Sequence, residues 1–166
     1  MHKRIYHFLQ ASGIFYKSQY GFRPKHSTVH ATTEFVTDVI ESLEQNKTTL
    51  SVFLDLSKAF DTIDHKILLE KLEYYGIRGT ALKWFDSYLS NRKQYVRFND
   101  TNSSIRTVTC GVPQGSVLGP LLFIIYTNDL SNCLKHAHAI VFADDTTIYE
   151  SSYDQNELYN KLNYDL

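Results

Sequence analysis

The most informative segment for the fold is Ala139–Tyr149, which reads AIVFADDTTIY. Two short apolar runs, Ala139–Ala143 and Thr146–Tyr149, flank the neighbouring aspartates Asp144 and Asp145. This pattern predicts two strands of a hairpin with both carboxylates in the turn between them. Asp is common in turns because its side chain bonds to nearby backbone, so an ordinary turn without a ligand stays open as an interpretation.

A second stretch, upstream, carries a carboxylate near the end of a strand. Leu50–Leu56 reads LSVFLDL and predicts a buried strand with Asp55 near its end. A charged group in an apolar strand costs stability unless it has a partner. If this strand lies beside the hairpin, three carboxylates meet, and Mg²⁺ ions, which prefer oxygen ligands, would relieve their repulsion. Sequence spacing does not show that the two elements meet.

The longest helical pattern covers Ser27–Gln45. Ser27 or Thr28 can accept a hydrogen bond from the first helical turn and so act as the N-cap. Apolar residues recur at helical spacing and predict one buried face. These residues are Phe35, Val36, Val39, Ile40 and Leu43.

The remaining patterns mix further helices with a second hairpin. Asp64 is the predicted N-cap of a helix that ends before Gly76. Other helices are predicted at about Thr80–Leu89, from Leu118 or Gly119 to about Leu130, and from Asp154 onward, and the predicted hairpin strands are Gln94–Phe98 and Ile105–Thr109. Residues 111–115, GVPQG, predict a loop. Helices mixed with hairpins rather than regular βαβ units predict an α+β domain.

Composition and charge narrow the functional classes. The chain has 166 residues, 43% of them hydrophobic and 21% charged, which is typical of one globular domain. No apolar run is long enough for a membrane span, and two cysteines make no disulfide framework, so we expect an intracellular protein of the cytoplasm or nucleus. The net charge is −1, but residues 1–30 and 78–106 are rich in Lys and Arg, which allows a phosphate-binding face.

Four segments together resemble reverse transcriptases. Phe53–Asp61 (FLDLSKAFD) is similar to the first palm motif of that family, and Gly111–Phe123 (GVPQGSVLGPLLF) is similar to its Pro-Gln-Gly motif. Phe142–Asp145 (FADD) resembles the paired-aspartate motif, and Gln19–Pro24 (QYGFRP) resembles the segment that links fingers and palm. The four occur in the family's order over roughly residues 19–149. The residues in these motifs are most similar to those of non-LTR retrotransposons of the jockey and CR1 kind.

The resemblance implies a fold and a domain organisation. It implies a polymerase palm, an antiparallel sheet packed on helices, together with part of the fingers. Residues 1–48 would form the fingers and palm-entry segment, and residues 49–166 would form the palm. The family's earliest fingers segments would precede Met1 and its thumb would follow Leu166, so we expect a partial domain of a longer parent polyprotein with the thumb absent.

The resemblance also implies an activity and a metal site. The activity is RNA-directed DNA polymerase, with an RNA template, a DNA primer and deoxynucleoside triphosphates as partners and no membrane. Two Mg²⁺ ions, for which Mn²⁺ can substitute, would be held by Asp55 and Asp144, with Asp145 completing the catalytic triad and the Leu56 carbonyl contributing.

Five further residues match positions that contact substrate in the family. By resemblance, Phe60 walls off the ribose 2′-hydroxyl, Gln114 and Gly115 contact the incoming nucleotide and template, Arg23 binds triphosphate, and Ala143 leaves room for the primer end. Two alternatives stay open. One is a truncated, catalytically weak or inactive nucleic-acid-binding remnant of a retroelement, and the other is a palm-like phosphodiester enzyme of another kind or an RNA-templated RNA polymerase.

Overall fold

A computed structural model describes all 166 residues of the chain. The helices are α1 (His2–Ala11), α2 (Thr28–Glu44), α3 (His65–Tyr74), α4 (Thr80–Leu89), α5 (Gly119–Tyr126) and α6 (Gln155–Asp165). The strands are β1 (Thr48–Asp55), β2 (Lys93–Gln94), β3 (Arg97–Phe98), β4 (Thr101–Asn102), β5 (Arg106–Thr107), β6 (His138–Phe142) and β7 (Asp145–Ser152). Helices are mixed with antiparallel strands, which confirms the predicted α+β class. None of the helices has the length and apolar character to cross a membrane.

The chain forms two compact units, and each unit is built from two separate stretches. The first unit comprises residues 1–14 and 58–126, and the second comprises residues 15–57 and 127–166. Because each unit combines distant stretches, no linker-like composition separates them in the sequence. The functional division into 1–48 and 49–166 is a different kind of boundary and stays a prediction.

The second unit contains a three-stranded antiparallel sheet in the order β1-β7-β6. One side of this sheet packs against α6 through apolar residues: Leu50, Val52, Leu54, Val141, Ile148 and Leu162. The other side packs against α2, where Ala31 and Phe35 meet Ile140 and Tyr149. Successive side chains of a strand point to opposite faces, so this alternation assigns each residue of β1, β6 and β7 to one face of the sheet or the other.

Helix α2 has the predicted N-cap but a different buried face. The Ser27 side chain accepts a hydrogen bond from the His30 N–H, as a cap should. Ile40 and Leu43, predicted to be buried, are 50% and 60% exposed, so that part of the prediction is wrong. The same correction applies to Val36, which is 46% exposed.

Hydrogen-bond partners explain which face of α2 packs against the sheet. Tyr20 donates a hydrogen bond to Glu34, and Tyr149 donates one to Asp38, so both acids face the sheet. Phe35 lies on the same side, with its ring edge-on to Tyr149 at 5.1 Å between centroids. Hydrogen-bonded acids and one aromatic ring therefore select the contact face, and simple apolar periodicity does not reveal this.

The first unit is mainly helical, with α3 packed against α4 and α5. The Asp64 side chain accepts a hydrogen bond from the Ile67 N–H, and Gly76 follows the end of α3 with φ +93°, which confirms both predicted helix boundaries. Helix α4 has the predicted limits. Helix α1, whose buried residues are Ile5 and Leu9, has no counterpart among the predicted elements.

Two predicted elements of the chain are shorter in the structure. Helix α5 ends at Tyr126 rather than near Leu130, because Thr, Asn and Asp at 127–129 favour local bonding over helix, and a short 3₁₀ turn follows at Leu130–Cys133. The predicted hairpin over 94–109 is two short ladders, β2 with β5 and β3 with β4. Between them two residues, 95 and 96, oppose three, 103–105, which is the geometry of a bulge.

Candidate active site

The paired aspartates lie at the tip of the β6–β7 hairpin. Phe142 and Asp145 are the last paired residues, so only Ala143 and Asp144 form the loop. The prediction that both aspartates lie in the turn is therefore wrong for Asp145, which is the first residue of β7. The reason is the turn geometry: a two-residue hairpin loop needs a positive φ at its first or both central positions, and Ala143 supplies it with φ +59°.

The sheet register brings Asp55 directly opposite Asp145. Strands β1 and β7 pair antiparallel along their full length, and Asp55–Asp145 is the terminal pair. Directly opposed residues point to the same face, here the face on which α2 packs. Phe53 lies on that face two residues earlier and is 73% exposed, so α2 leaves this end of the sheet open to solvent. The structure thus places Asp55 and Asp145 at opposed positions of two paired strands, which sequence spacing does not show.

The electrostatics of this pair set what it can do. Two carboxylates at directly opposed positions repel one another, and like-charge pairs of this kind destabilise a sheet. The oxygen donors of Asp55, Asp145 and the adjacent Asp144 suit a hard cation such as Mg²⁺. No group of three or more His, Cys, Asp or Glu side chains in the chain, these three aspartates included, is placed to hold a metal ion as a protein cage. Mg²⁺ commonly takes one or two carboxylates together with substrate phosphates, so these residues fit that ion without such a cage.

Two neighbours of the carboxylates have distinct surroundings. Leu56 follows β1 directly and is exposed. Ala143 is 7% exposed, and the backbone of Gly21 packs closely against it. This packing is sufficient to require a small residue, and the role of Ala143 at the primer end stays a prediction.

Arg23 lies in the second unit and is bonded to the chain's own backbone. Its Nη1 donates to the carbonyl oxygens of Tyr16 at 2.9 Å and Gln19 at 3.1 Å. The guanidinium also lies over the Phe15 ring, 5.3 Å from its centroid. These contacts give Arg23 a structural role in the loop that precedes α2, and its contact with triphosphate stays a prediction.

Phe60 lies in the first unit and is half-buried. Its ring stacks on Phe123 with 4.6 Å between centroids and an interplanar angle of 25°. Its carbonyl accepts a hydrogen bond from the Val112 N–H at 2.9 Å. Phe60 is therefore held at two points: its ring stacks on α5, and its main chain bonds to the Pro-Gln-Gly segment.

The Pro-Gln-Gly loop of the first unit carries the next two candidates. Gln114 is exposed, and its Nε2 donates to Asp61 Oδ1 at 3.1 Å. Gly115 has φ +76°, and a Cβ built on it would meet nothing within 4 Å. Within this chain, the dihedral angle explains the glycine and close packing does not. Gly111 differs, because a Cβ there would lie 2.7 Å from the Asp61 carbonyl oxygen.

The candidates therefore divide between the two units. Asp55, Leu56, Asp144, Asp145, Arg23 and Ala143 belong to the second unit, and Phe60, Gln114 and Gly115 belong to the first. Two residues with direct bonds to these candidates, Asp61 and Gln19, received no role from the sequence. Both lie inside segments that resemble family motifs, so the signal was present, but the partner of each is far away along the chain.

Comparison with known proteins defines the class. The chain matches the family described as "Reverse transcriptase (RNA-dependent DNA polymerase)" over residues 1–163. It belongs to the reverse transcriptase family, as the motif resemblance predicted.

Curated relatives narrow the comparison to mobile elements. The chain is 34% identical over 155 residues to the "Probable RNA-directed DNA polymerase from transposon X-element" of Drosophila melanogaster, which covers 87% of this chain and 16% of that protein. It is 37% identical over 116 residues to the "RNA-directed DNA polymerase from mobile element jockey" of Drosophila funebris, covering 70% and 13%.

A more distant relative is the "Retrovirus-related Pol polyprotein from type-1 retrotransposable element R2" of Popillia japonica, 26% identical over 165 residues, covering 92% of this chain and 23% of that sequence. The chain thus spans less than a quarter of the length of each of these relatives.

Proposed function

We propose that this chain is the palm, with part of the fingers, of an RNA-directed DNA polymerase encoded by a non-LTR retrotransposon. The observation that carries the proposal is the register of β1 and β7, which sets Asp55 opposite Asp145 beside Asp144. A polymerase of this class adds a deoxynucleotide to the 3′-hydroxyl of a DNA primer on an RNA template. The fingers and palm assignment rests on the motif resemblance together with this sheet.

The carboxylates would serve as ligands of two divalent ions. Asp55 and Asp144 would hold the ions, Asp145 would complete the acidic end of the sheet, and the Leu56 carbonyl would contribute an oxygen. Bound Mg²⁺, or Mn²⁺ in its place, supplies charge stabilisation for the attacking and leaving oxygens of phosphoryl transfer. The chain itself contributes rigid strand ends that orient the oxygen donors toward the open end of the sheet.

The remaining candidates would select and orient the nucleotide. Phe60 would exclude a ribose 2′-hydroxyl by its bulk, and its stacking on Phe123 supports a fixed ring. Gln114 and Gly115 would contact the incoming nucleotide and the template. Arg23 would bind the triphosphate, and Ala143 would leave space for the primer end.

The partners follow from the proposed reaction. They are an RNA template, a DNA primer and deoxynucleoside triphosphates, all of them polyanions. Lys93, Arg97 and Arg106 are exposed on the short ladders of the first unit, where Asp100 is the nearby acid, and this surface suits phosphate contacts. We place the reaction in the cytoplasm or the nucleus, where RNA templates occur.

The test is primer extension by the longest polypeptide that contains this chain, with Asp144→Asn as the variant. Asn is well tolerated in turns, so the hairpin should persist while one ionised ligand is lost. We expect deoxynucleotide addition on an RNA template to fall by roughly 10²- to 10³-fold, the usual cost of removing one electrostatic group from a reaction centre.

A matched control is Glu44→Gln, which removes an exposed carboxylate from the last residue of α2, at the opposite end of the sheet from Asp55. It should leave extension unchanged, and circular dichroism should show the same fold in both variants. Extension at the normal rate by Asp144→Asn would show that the catalytic assignment is wrong.

A further inference from the structure

A buried glutamine side chain joins two loops at the acidic end of the sheet. Gln19 is 4% exposed, and its Oε1 accepts hydrogen bonds from the Gly21 N–H at 2.7 Å and the Ala143 N–H at 3.3 Å. One amide oxygen thus links the backbone at Gly21 to the hairpin loop that carries Asp144. A buried polar side chain with two backbone donors is a specific, costly arrangement, because each N–H left unpaired would lose stability.

The backbone at Gly21 also lies against the hairpin loop. A Cβ on Gly21 would lie 2.7 Å from the Ala143 Cα and 2.9 Å from the Phe142 carbonyl carbon, so only glycine fits. Ala143 itself has φ +59°, a conformation that costs a non-glycine residue energy. A strained loop persists only when its surroundings over-determine it, and here the surroundings are Gln19 and Gly21.

Gln19 is in turn held in place along the edge of β6. Gln19 forms a parallel bridge with Val141, supported by hydrogen bonds from the Tyr20 N–H to the Val141 carbonyl at 2.7 Å and from the Val141 N–H to the Ser18 carbonyl at 2.9 Å. Arg23 Nη1 donates to the Gln19 carbonyl. The segment therefore acts as a short fourth strand whose position is fixed independently of the Gln19 side chain.

We propose that Gln19 is a positioning residue of the polymerase: its amide oxygen fixes the main chain at Ala143 and so sets where the Asp144 carboxylate points. The inference rests on the proposed metal-binding role of Asp144. Gln19 touches neither substrate nor metal in this scheme and acts only through the loop. Removing such an outer support commonly costs about 10- to 100-fold in metal affinity or activity.

The first measurement needs no variant and reads the hydrogen bond itself. Amide hydrogen exchange of the Ala143 N–H, followed by NMR on this chain, should show protection, since a loop amide open to solvent exchanges fast. Fast exchange at Ala143 with protected amides in the neighbouring strands would overturn the inference.

The second measurement compares Gln19→Met with Gln19→Glu in primer extension. Methionine has a similar unbranched shape without the acceptor oxygen, whereas glutamate keeps an oxygen acceptor. We expect Gln19→Met to lower kcat and to raise the Mg²⁺ concentration for half-maximal rate, each by about 10- to 100-fold, with KM for primer–template unchanged. Gln19→Glu should recover most of both losses. Mn²⁺ binding by electron paramagnetic resonance should weaken in parallel in the methionine variant.

Ser152→Ala is the matched control for general destabilisation. Ser152 is a buried polar residue of the same unit that donates to Glu157, and it lies at the far end of β7 from Asp145. At a temperature where Ser152→Ala and Gln19→Met are equally folded, only the latter should shift the Mg²⁺ dependence. Equal Mg²⁺ dependence in both variants would contradict a positioning role. Unchanged synthesis in Asp144→Asn would instead overturn the proposed function, whatever Gln19 does.

Discussion

Asp55 and Asp145 carry like charges at directly opposed positions of two antiparallel strands. Such a pair opposes folding, so the residues that would serve the reaction should reduce the stability of the chain. We expect Asp55→Asn to raise the free energy of unfolding by up to about 1 kcal/mol in buffer containing EDTA, because the neutral amide removes the repulsion. The same variant should abolish primer extension.

Urea denaturation with and without Mg²⁺ measures this effect. Mg²⁺ should stabilise the natural chain more than Asp55→Asn, so the difference between them should shrink as Mg²⁺ is added. Asp100→Asn, an exposed turn residue of the other unit, is the control and should change neither curve. A natural chain that is more stable than Asp55→Asn in EDTA would mean that Asp55 makes a stabilising contact that outweighs its repulsion from Asp145.

Phe60 allows a second test at the level of one side chain. Phe60→Val should increase the use of ribonucleotides relative to deoxynucleotides by about tenfold or more, because the smaller side chain no longer excludes the 2′-hydroxyl. The measurement is the ratio of kcat/KM for the two nucleotides. Phe60→Tyr is the control: it keeps an aromatic ring of the same width at this position, and it should keep the ratio near the natural value. Equal ratios for Phe60→Val and the natural chain would show that Phe60 does not exclude the ribose 2′-hydroxyl.

At the level of elements, local signals predicted where helices begin but not which side they bury. The caps at Ser27, Asp64 and Asp154 each accept a backbone N–H of the following turn, a contact that depends only on neighbours in sequence. Helix α2 then presents Glu34 and Asp38 to the sheet, because Tyr20, 14 residues away, donates a hydrogen bond to Glu34 and Tyr149, 111 residues away, donates one to Asp38. Apolar periodicity could not reveal hydrogen-bond partners of that kind.

The β6–β7 hairpin shows the same limit over a shorter range. Its two strands and its loop were predicted, yet the loop is shifted by one residue, to Ala143 and Asp144. Glycine or asparagine would ordinarily mark a positive φ, and alanine gives no such signal. The contacts of Gly21 and Gln19 stabilise this conformation, and they come from a segment more than one hundred residues away.

At the scale of the whole molecule, the pH range of stability follows from a few shifted groups. Burial first, and the bond to Glu34 second, raise the pKa of Tyr20 to about 12, and burial with the bond to Asp38 raises the pKa of Tyr149 well above its ordinary value. Burial also raises the pKa of Asp165, but backbone N–H groups of residues 137, 135 and 136 outweigh it and the net shift is downward.

The direction of each effect on stability follows from the sign of the shift. The tyrosines bind their protons more tightly when folded, so their contribution is full below pH 10.0 and declines above it; that of Tyr20 is lost as the pH rises through about 12. Asp165 binds its proton less tightly when folded, so its contribution is full above pH 3.8 and is lost as the pH falls further.

We expect the free energy of unfolding, measured by urea titration at a series of pH values, to fall below pH 3.8 and above pH 10.0. Tyr149→Phe should flatten the alkaline decline, and Asp165→Asn should flatten the acid decline. An acid limb of the same slope in Asp165→Asn would show that other carboxylates dominate it.

The family, the order of the motifs and the position of most helices and strands follow from the amino-acid pattern alone. These depend on neighbouring residues: caps, alternation of side chains, and turn-forming residues act within a few positions. The same pattern also identified Asp55, Asp144 and Asp145 as candidates, through their motifs.

How these elements meet is visible only in the three-dimensional packing. The register that opposes Asp55 to Asp145, the face that α2 buries and the bridge from Gln19 to Ala143 each join residues distant in the chain. The physical reason is that pairing and packing depend on the free energy of contacts between both partners, and a one-dimensional pattern describes only one partner at a time.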